Sequence, residues 1–200
     1  MSAFTWPPDA PSPAGSDQSQ TNEPVLAAVL VALFLAGETP EPHVVLTKRR
    51  ADLRRHAGEI SFPGGRKDAE DADLSTTALR EAEEEIGLER SLVSLLGTLP
   101  TTSTFATNYV IHPFVATIPA GTAWTPSAKE VAEVLELPLE AVRQAKTKTN
   151  IERRGITFQT DAYVVDGNVI WGATARILAN LFDALVPPNA DGRLALRASP

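Results

Sequence analysis

The first long apolar run lies at Val25–Leu35, where nearly every position is aliphatic. Such a run reads as a strand buried on both faces. His43–Thr47 predicts a second strand, and Gly37-Glu38-Thr39-Pro40-Glu41-Pro42 between them has turn composition, so a hairpin is expected. Lys48 to Asp73 then reads as a long loop holding Gly58, Pro63, Gly64 and Gly65. At Leu74–Ile86 the period changes. Leu74, Ala78, Leu79, Ala82 and Ile86 recur at helical spacing, with Asp73 placed as N-cap and Gly87 as terminator. Strands are predicted at Ser94–Leu99, Tyr109–Ile118 and Val131–Leu137, followed by a short helix at Leu139–Gln144. Thr157–Val165 and Asn168–Trp171 flank Asp166-Gly167, a dipeptide suited to a two-residue hairpin turn. A helix at Thr174–Leu185 closes the pattern. Strands and helices interleave irregularly, which predicts an α+β fold with a mixed β-sheet sandwiched between α-helices.

The two ends differ from this. Residues 1–23 are rich in Pro, Ser, Gln and Asn, and such a segment buries too little apolar surface to offset the entropy of ordering it. A flexible N-terminal tail is expected there, a domain over 24–186, and a second flexible tail over 187–200, which opens with Pro187-Pro188.

Composition narrows the function. With 200 residues, 43% of them hydrophobic and 22% charged, the chain is ordinary globular material. It has no cysteine, which excludes a disulfide framework, thiol catalysis and thiolate zinc sites. A net charge of -7 argues against bulk attraction to phosphodiester backbones, so no nucleic-acid partner is expected. The longest apolar run falls short of the ~20 residues a spanning helix needs, so no membrane partner is expected. The stretch before it lacks a basic residue, unlike a secretory signal, and a cytoplasmic location is expected.

The chemistry concentrates in Arg80-Glu81-Ala82-Glu83-Glu84-Glu85-Ile86-Gly87-Leu88. Residues three and four apart share a helix face, so Glu81, Glu84 and Glu85 gather on one side while Leu79, Ala82 and Ile86 lie towards the other. Like charges so spaced destabilise an isolated helix. A hard divalent cation such as Mg²⁺ or Mn²⁺ reverses the sign of that interaction. An arbitrary Glu run is more often a solvated face, as Glu83 is expected to be. What changes the odds is the upstream Phe62-Pro63-Gly64-Gly65, whose glycines let backbone approach a phosphate or a metal.

Gly65 to Leu88 resembles the Nudix box, G-x5-E-x7-R-E-U-x-E-E-x-G-U with U aliphatic. Arg80, Glu81, Ala82, Glu84, Glu85, Gly87 and Leu88 match its second half. In the first half the box asks for Gly at 66 and Glu at 72, where this chain has Arg66 and Ala72. Gly65 and Asp71 fill those places if one extra residue precedes the helix. Upstream, Leu46-Thr47-Lys48-Arg49, Arg54, Gly58 and Phe62-Pro63-Gly64-Gly65 resemble the motif of the coenzyme A pyrophosphatases. Val45 and Arg50 are the two departures from it. Trp171 to Leu178 also resembles the closing segment of that branch. Physically, Lys48, Arg49, Arg50, Arg54, Arg55 and His56 form a basic cluster in an acidic protein, and Arg presents a planar fork suited to phosphate oxygens.

The resemblance implies a Nudix fold and hydrolysis of a small nucleoside diphosphate derivative, here coenzyme A-like, to 3′,5′-ADP and phosphopantetheine. It implies Mg²⁺ or Mn²⁺ held by Glu81, Glu84, Glu85 and the Gly65 carbonyl. Substrate contacts are implied at Arg49, Arg54, His56, Gly58, Phe62 and Gly64, with Arg80 (through Glu84) and Asp71 as structural support. The general base stays open among Glu81, Glu130 and Glu133, and Glu85 joins Glu81 and Glu130 in the catalytic set. A homodimer stays open. So do two rival readings: a Nudix pyrophosphatase for ADP-ribose, a dinucleotide or a damaged nucleotide, and a non-catalytic nucleotide-binding module. His56 equally suits phosphate contact or loop packing.

Overall fold

Val25–Ala36 (β1) is apolar on both pleat faces because it runs through the middle of the molecule. Its even positions Ala28, Leu30, Ala32 and Phe34 pack on one side with Ala78, Ala82 and Ile86. Its odd positions Val31 and Leu33 pack on the other with Val142, Tyr163, Ile177 and Leu178. One strand thus serves two cores, which is why it shows no polar alternation. This is a computed structural model, and it describes residues 23–53, 56–104, 108–153, 155–186 and 193–197.

Around β1 stand Glu41–Arg49 (β2), Ile60–Ser61 (β3), Gly64–Arg66 (β4), Ser94–Thr98 (β5), Thr102–Ser103 (β6), Tyr109–Thr117 (β7) and Val131–Pro138 (β8). The sheet order is β3-β2-β1-β7-β5, with β4 on β1, β6 on β7 and β8 on β2. The β1–β7 pair is parallel and the other pairings in this sheet are antiparallel, so the sheet is mixed. Leu74–Ile86 (α1) covers one face. Leu139–Gln144 (α2) and Gly172–Ala184 (α3) cover the other. The expected hairpin is present, with Leu33 opposite Val44 and Ala36 opposite Glu41. A long apolar strand between two covered faces is the physical basis of the sandwich.

Three features depart from expectation. The stretch read as loop between Lys48 and Asp73 contains β3 and β4, both too short to show a period. Lys146–Arg153 (β9) pairs with Ile156–Val165 (β10), which pairs with Asn168–Trp171 (β11), giving a second, three-stranded sheet. And the expected C-terminal tail is held down in part. Leu185–Val186 (β12) pairs with Ala195–Leu196 (β13), the Arg197 amide donates to the Ala184 carbonyl at 2.8 Å, and Leu194 is buried in the core. A single leucine with a partner strand suffices to anchor that short stretch. Among the described residues no helix is long and apolar enough to cross a membrane.

Candidate active site

α1 begins where the Asp73 side chain accepts from the Thr76 amide at 2.8 Å and ends at Gly87, in the left-handed conformation at φ 70°. Both caps are as the sequence predicts. The end of α1 also holds a neighbouring segment in place. Its carbonyls at Glu85 and Ile86 accept from the amides of Ser127 and Thr125, at 2.8 and 2.9 Å. The helix therefore satisfies its terminal acceptors with the segment that carries Glu130. Arg50 pins the same segment: its Nη1 donates to the Ala128 carbonyl at 2.6 Å, and its backbone amide donates to the Glu130 carbonyl at 3.0 Å. Its remaining nitrogens hold Asp52 in a two-bond fork, at 2.9 and 2.7 Å. Arg50 thus serves the architecture of the loop.

Glu85 is the buried acid of the cluster, its side chain only 9% exposed. Burial pushes its carboxyl up to about 7, with the Glu81 and Glu130 charges adding and the Gly64 amide and Arg49 opposing. Its Oε2 accepts from the Gly64 amide at 3.3 Å, and its Oε1 faces Arg49 Nη1 at 3.8 Å. The same Nη1 lies 3.4 Å from Glu130 Oε2. Burial also raises the Glu81 carboxyl, against the pull of Arg80. Gly65 lies directly against the Glu81 carboxylate, so any side chain there would collide with it. Gly64 is needed for a different close approach: a Cβ there would stand 2.6 Å from Val29 Cα and nearer still to the Ala28 carbonyl.

Arg80 sits at the other flank, and its main partner is not the expected one. Nε and Nη2 clamp the two Asp71 oxygens at 3.0 and 3.1 Å, while Nη1 reaches Glu81 at 3.1 Å and Glu84 at 3.3 Å. Asp71 is buried and also accepts from the Thr77 hydroxyl and the Asp68 amide. Arg80 and these donors hold its carboxyl well below the usual carboxylate range. The fork prefers Asp71 because that acid is buried and presents both oxygens, whereas Glu84 is 60% exposed. Glu83 points away and pairs with Arg90 at 2.8 Å.

The structure thus brings together Glu81, Glu85, Glu130, Arg49, Gly64 and Gly65, with Arg80, Asp71 and Glu84 alongside. Phe62, expected at the substrate, is only 2% exposed in the core. It belongs to the cluster with Leu46, Ile60 and Leu178 because β3 turns it inward. We expect Phe62→Ala to cost about 3–5 kcal/mol in urea unfolding and to leave KM unchanged. A raised KM at near-normal stability would restore the substrate contact. Gly58 occupies a turn tip at φ 69° with open space around it. His56, also left-handed at φ 57°, pairs through Nδ1 with Glu59 at 2.6 Å across that turn. Arg54 lies outside the described residues. Glu133 stands opposite Lys48 in the β2–β8 ladder. Sequence reasoning missed the work of Ser127 and Thr125, for which no local pattern exists.

Among the described residues no three acids or imidazoles converge on one point. The donor chemistry nonetheless fits a hard divalent ion. Two carboxylates have their charged forms disfavoured by burial, the Glu81 charge adds to the cost at Glu85, and the missing side chain at Gly65 lets the Glu81 carboxylate lie against the main chain. A cation relieves both costs.

The model of the NUDIX domain matches residues 25–158. Nudix hydrolases described as "Uncharacterized Nudix hydrolase NudL", from Yersinia pestis and Yersinia pseudotuberculosis, are 38% identical over 157 residues, covering 78% of this chain and 77% of theirs. Among solved structures, the Nudix hydrolase RenU of M. smegmatis aligns with a TM-score of 0.51 at 18% identity, over 61% of this chain and 75% of its own. A MutT/nudix family protein from Enterococcus faecalis aligns with 0.52 at 13% identity, over 84% and 66%. The structural likenesses speak for the fold.

Proposed function

The chain belongs to the Nudix family, and within it we propose that it is a metal-dependent pyrophosphatase cleaving coenzyme A or its derivatives to 3′,5′-ADP and phosphopantetheine or acyl-phosphopantetheine. One observation carries this reading. Arg49, the first arginine of the coenzyme A-type motif, lies 3.4 Å from Glu130 and 3.8 Å from Glu85, which supports reading the basic segment and the acidic helix as one site. A substrate with two phosphoryl groups in its bridge and a third on its ribose suits such a meeting of arginine and carboxylates.

Glu81 and Glu85, with Glu84 and the Gly65 backbone, are the donors we assign to Mg²⁺ or Mn²⁺. The bound ion supplies charge neutralisation at the pyrophosphate and a more acidic water. The residues do the remainder. Gly64 fixes the Glu85 rotamer through its amide. Arg80 and Asp71 fix Glu81 from the side. Arg49 offers its fork to phosphate oxygens. Glu130 Oε2 takes the proton of the water that attacks phosphorus, and the bond from that phosphorus to the bridging oxygen breaks. We favour Glu130 over Glu133 as base because Glu130 stands beside the Arg49 nitrogen that also faces Glu85, whereas Glu133 lies opposite Lys48 in the β2–β8 ladder.

The test is purified protein with coenzyme A and Mg²⁺ or Mn²⁺, followed by chromatography for 3′,5′-ADP, with ADP-ribose, NADH and dGTP in parallel. We expect 3′,5′-ADP release well above turnover of the others. Turnover of another substrate without coenzyme A cleavage would reject the substrate class and keep the family chemistry. No turnover at all would leave a binding module.

A further inference from the structure

Arg49 is held in an unusual way. A single nitrogen, Nη1, is shared between two acids at 3.4 and 3.8 Å, both long for charge-assisted bonds. Its Nε is inaccessible to solvent and has no hydrogen-bond partner among the described residues. The side chain as a whole is still 27% exposed, so Arg49 is not sealed in the core. A planar fork satisfied at one corner and orphaned at another is not resting at its best geometry.

The backbone prepares this arrangement. Lys48 pairs with Glu133 across the β2–β8 ladder, but Arg49 pairs with Val131, so Ala132 is an extra residue on β8. Bulges of this kind re-aim side chains. Here the bulge draws the Glu130 segment one residue further along β2, where the Arg50 amide binds the Glu130 carbonyl and Arg49 reaches the Glu130 carboxylate.

From this we infer that Arg49 is a charge latch that couples cation binding to anion binding. Without a divalent ion, the guanidinium serves as the counter-charge of Glu85 and Glu130. A divalent cation on Glu85 repels it. The released fork, with its orphaned Nε, then accepts an oxyanion, and the anion in turn holds Arg49 off the carboxylates. The two ligands therefore strengthen each other's binding by the same factor. The inference rests on the metal reading above, since it needs a cation at Glu85.

The experiment is a Mn²⁺ titration of the full chain followed by the electron paramagnetic resonance of free Mn²⁺. It is run in sodium sulfate and in sodium chloride at matched ionic strength, because sulfate is an oxyanion that chelates Mn²⁺ weakly. The wild-type protein is expected to bind Mn²⁺ about fivefold or more tightly in sulfate. Arg49→Met is expected to bind Mn²⁺ more tightly than wild type in chloride and to show no gain from sulfate. Arg49→Lys keeps the charge and lacks the fork, so it is expected to match wild type in chloride and lose most of the gain. Circular dichroism checks that both variants fold, and Arg49→Lys carries the test alone if Arg49→Met does not. An undiminished sulfate gain in either folded variant would overturn the latch while leaving the metal site standing. Failure of wild type to bind Mn²⁺ would remove the metal reading itself, and the latch with it.

Discussion

Glu85→Gln is expected to lower turnover about a thousandfold while the fold stays intact, since losing several kcal/mol of charge stabilisation costs a decade per 1.4 kcal/mol. Glutamine keeps the oxygen that accepts from the Gly64 amide, so the local geometry survives. Stability should move the other way. Burial raises the Glu85 carboxyl from its ordinary 4.5 to about 7, so in the metal-free protein its charged form opposes folding. That cost is absent below the unfolded value, grows as pH rises, and is complete above about 7. Metal-free Glu85→Gln should therefore melt above wild type at pH 8, by an amount equivalent to about 2–3 kcal/mol, and show no such gain at pH 4. Adding Mn²⁺ should reverse the order, because a ligand stabilises the form that binds it. Melting curves at two pH values, with and without Mn²⁺, read all of this. Near-normal turnover, or an equal Mn²⁺ response in the variant, would sink the assignment of Glu85 as a metal donor.

The opposed signs of that prediction reflect how much of the site was written locally. α1 was readable to the residue because its signals are all within it: an apolar period, Asp73 before and Gly87 after. The same holds for the Asp166-Gly167 hairpin, where Val165 faces Asn168. β9 was not readable. Lys-Thr-Lys-Thr-Asn-Ile-Glu-Arg has no apolar alternation, and its order comes from pairing to β10 rather than from burial. The site divides in the same way. The carboxylates announce themselves on one helix face, but their ranking does not. Glu85 lies under Gly64, Glu84 is left exposed, and Arg80 turns to Asp71 because α1 packs against β4 and β1 in three dimensions. Phe62 was misplaced for a related reason. A motif fixes spacing along the chain, whereas Phe62 follows directly on the two-residue strand β3, and its direction depends on how that strand pairs and packs.

Asp71 is where that three-dimensional ranking has its largest consequence for stability. Its carboxylate takes two of the Arg80 nitrogens, which leaves one for Glu81 and Glu84. Asp71→Asn removes the charge and leaves a largely buried guanidinium underpaired, a change that costs about 3 kcal/mol at neutral pH. It also frees Arg80 to close on Glu81 and Glu84, competing for the oxygens assigned to the metal, so Mn²⁺ affinity should fall together with stability. The pH dependence separates this from ordinary packing loss. The folded-state carboxyl is depressed, so its stabilisation is present above the unfolded value near 3.8 and is lost as pH falls below it. The urea midpoint of wild type should exceed that of Asp71→Asn clearly at pH 7, and the gap should narrow by pH 3. A gap of the same size at both pH values would mean that the variant suffers from shape and not from charge. The acid of the first half of the box would then have no electrostatic hold on the helix that carries the site.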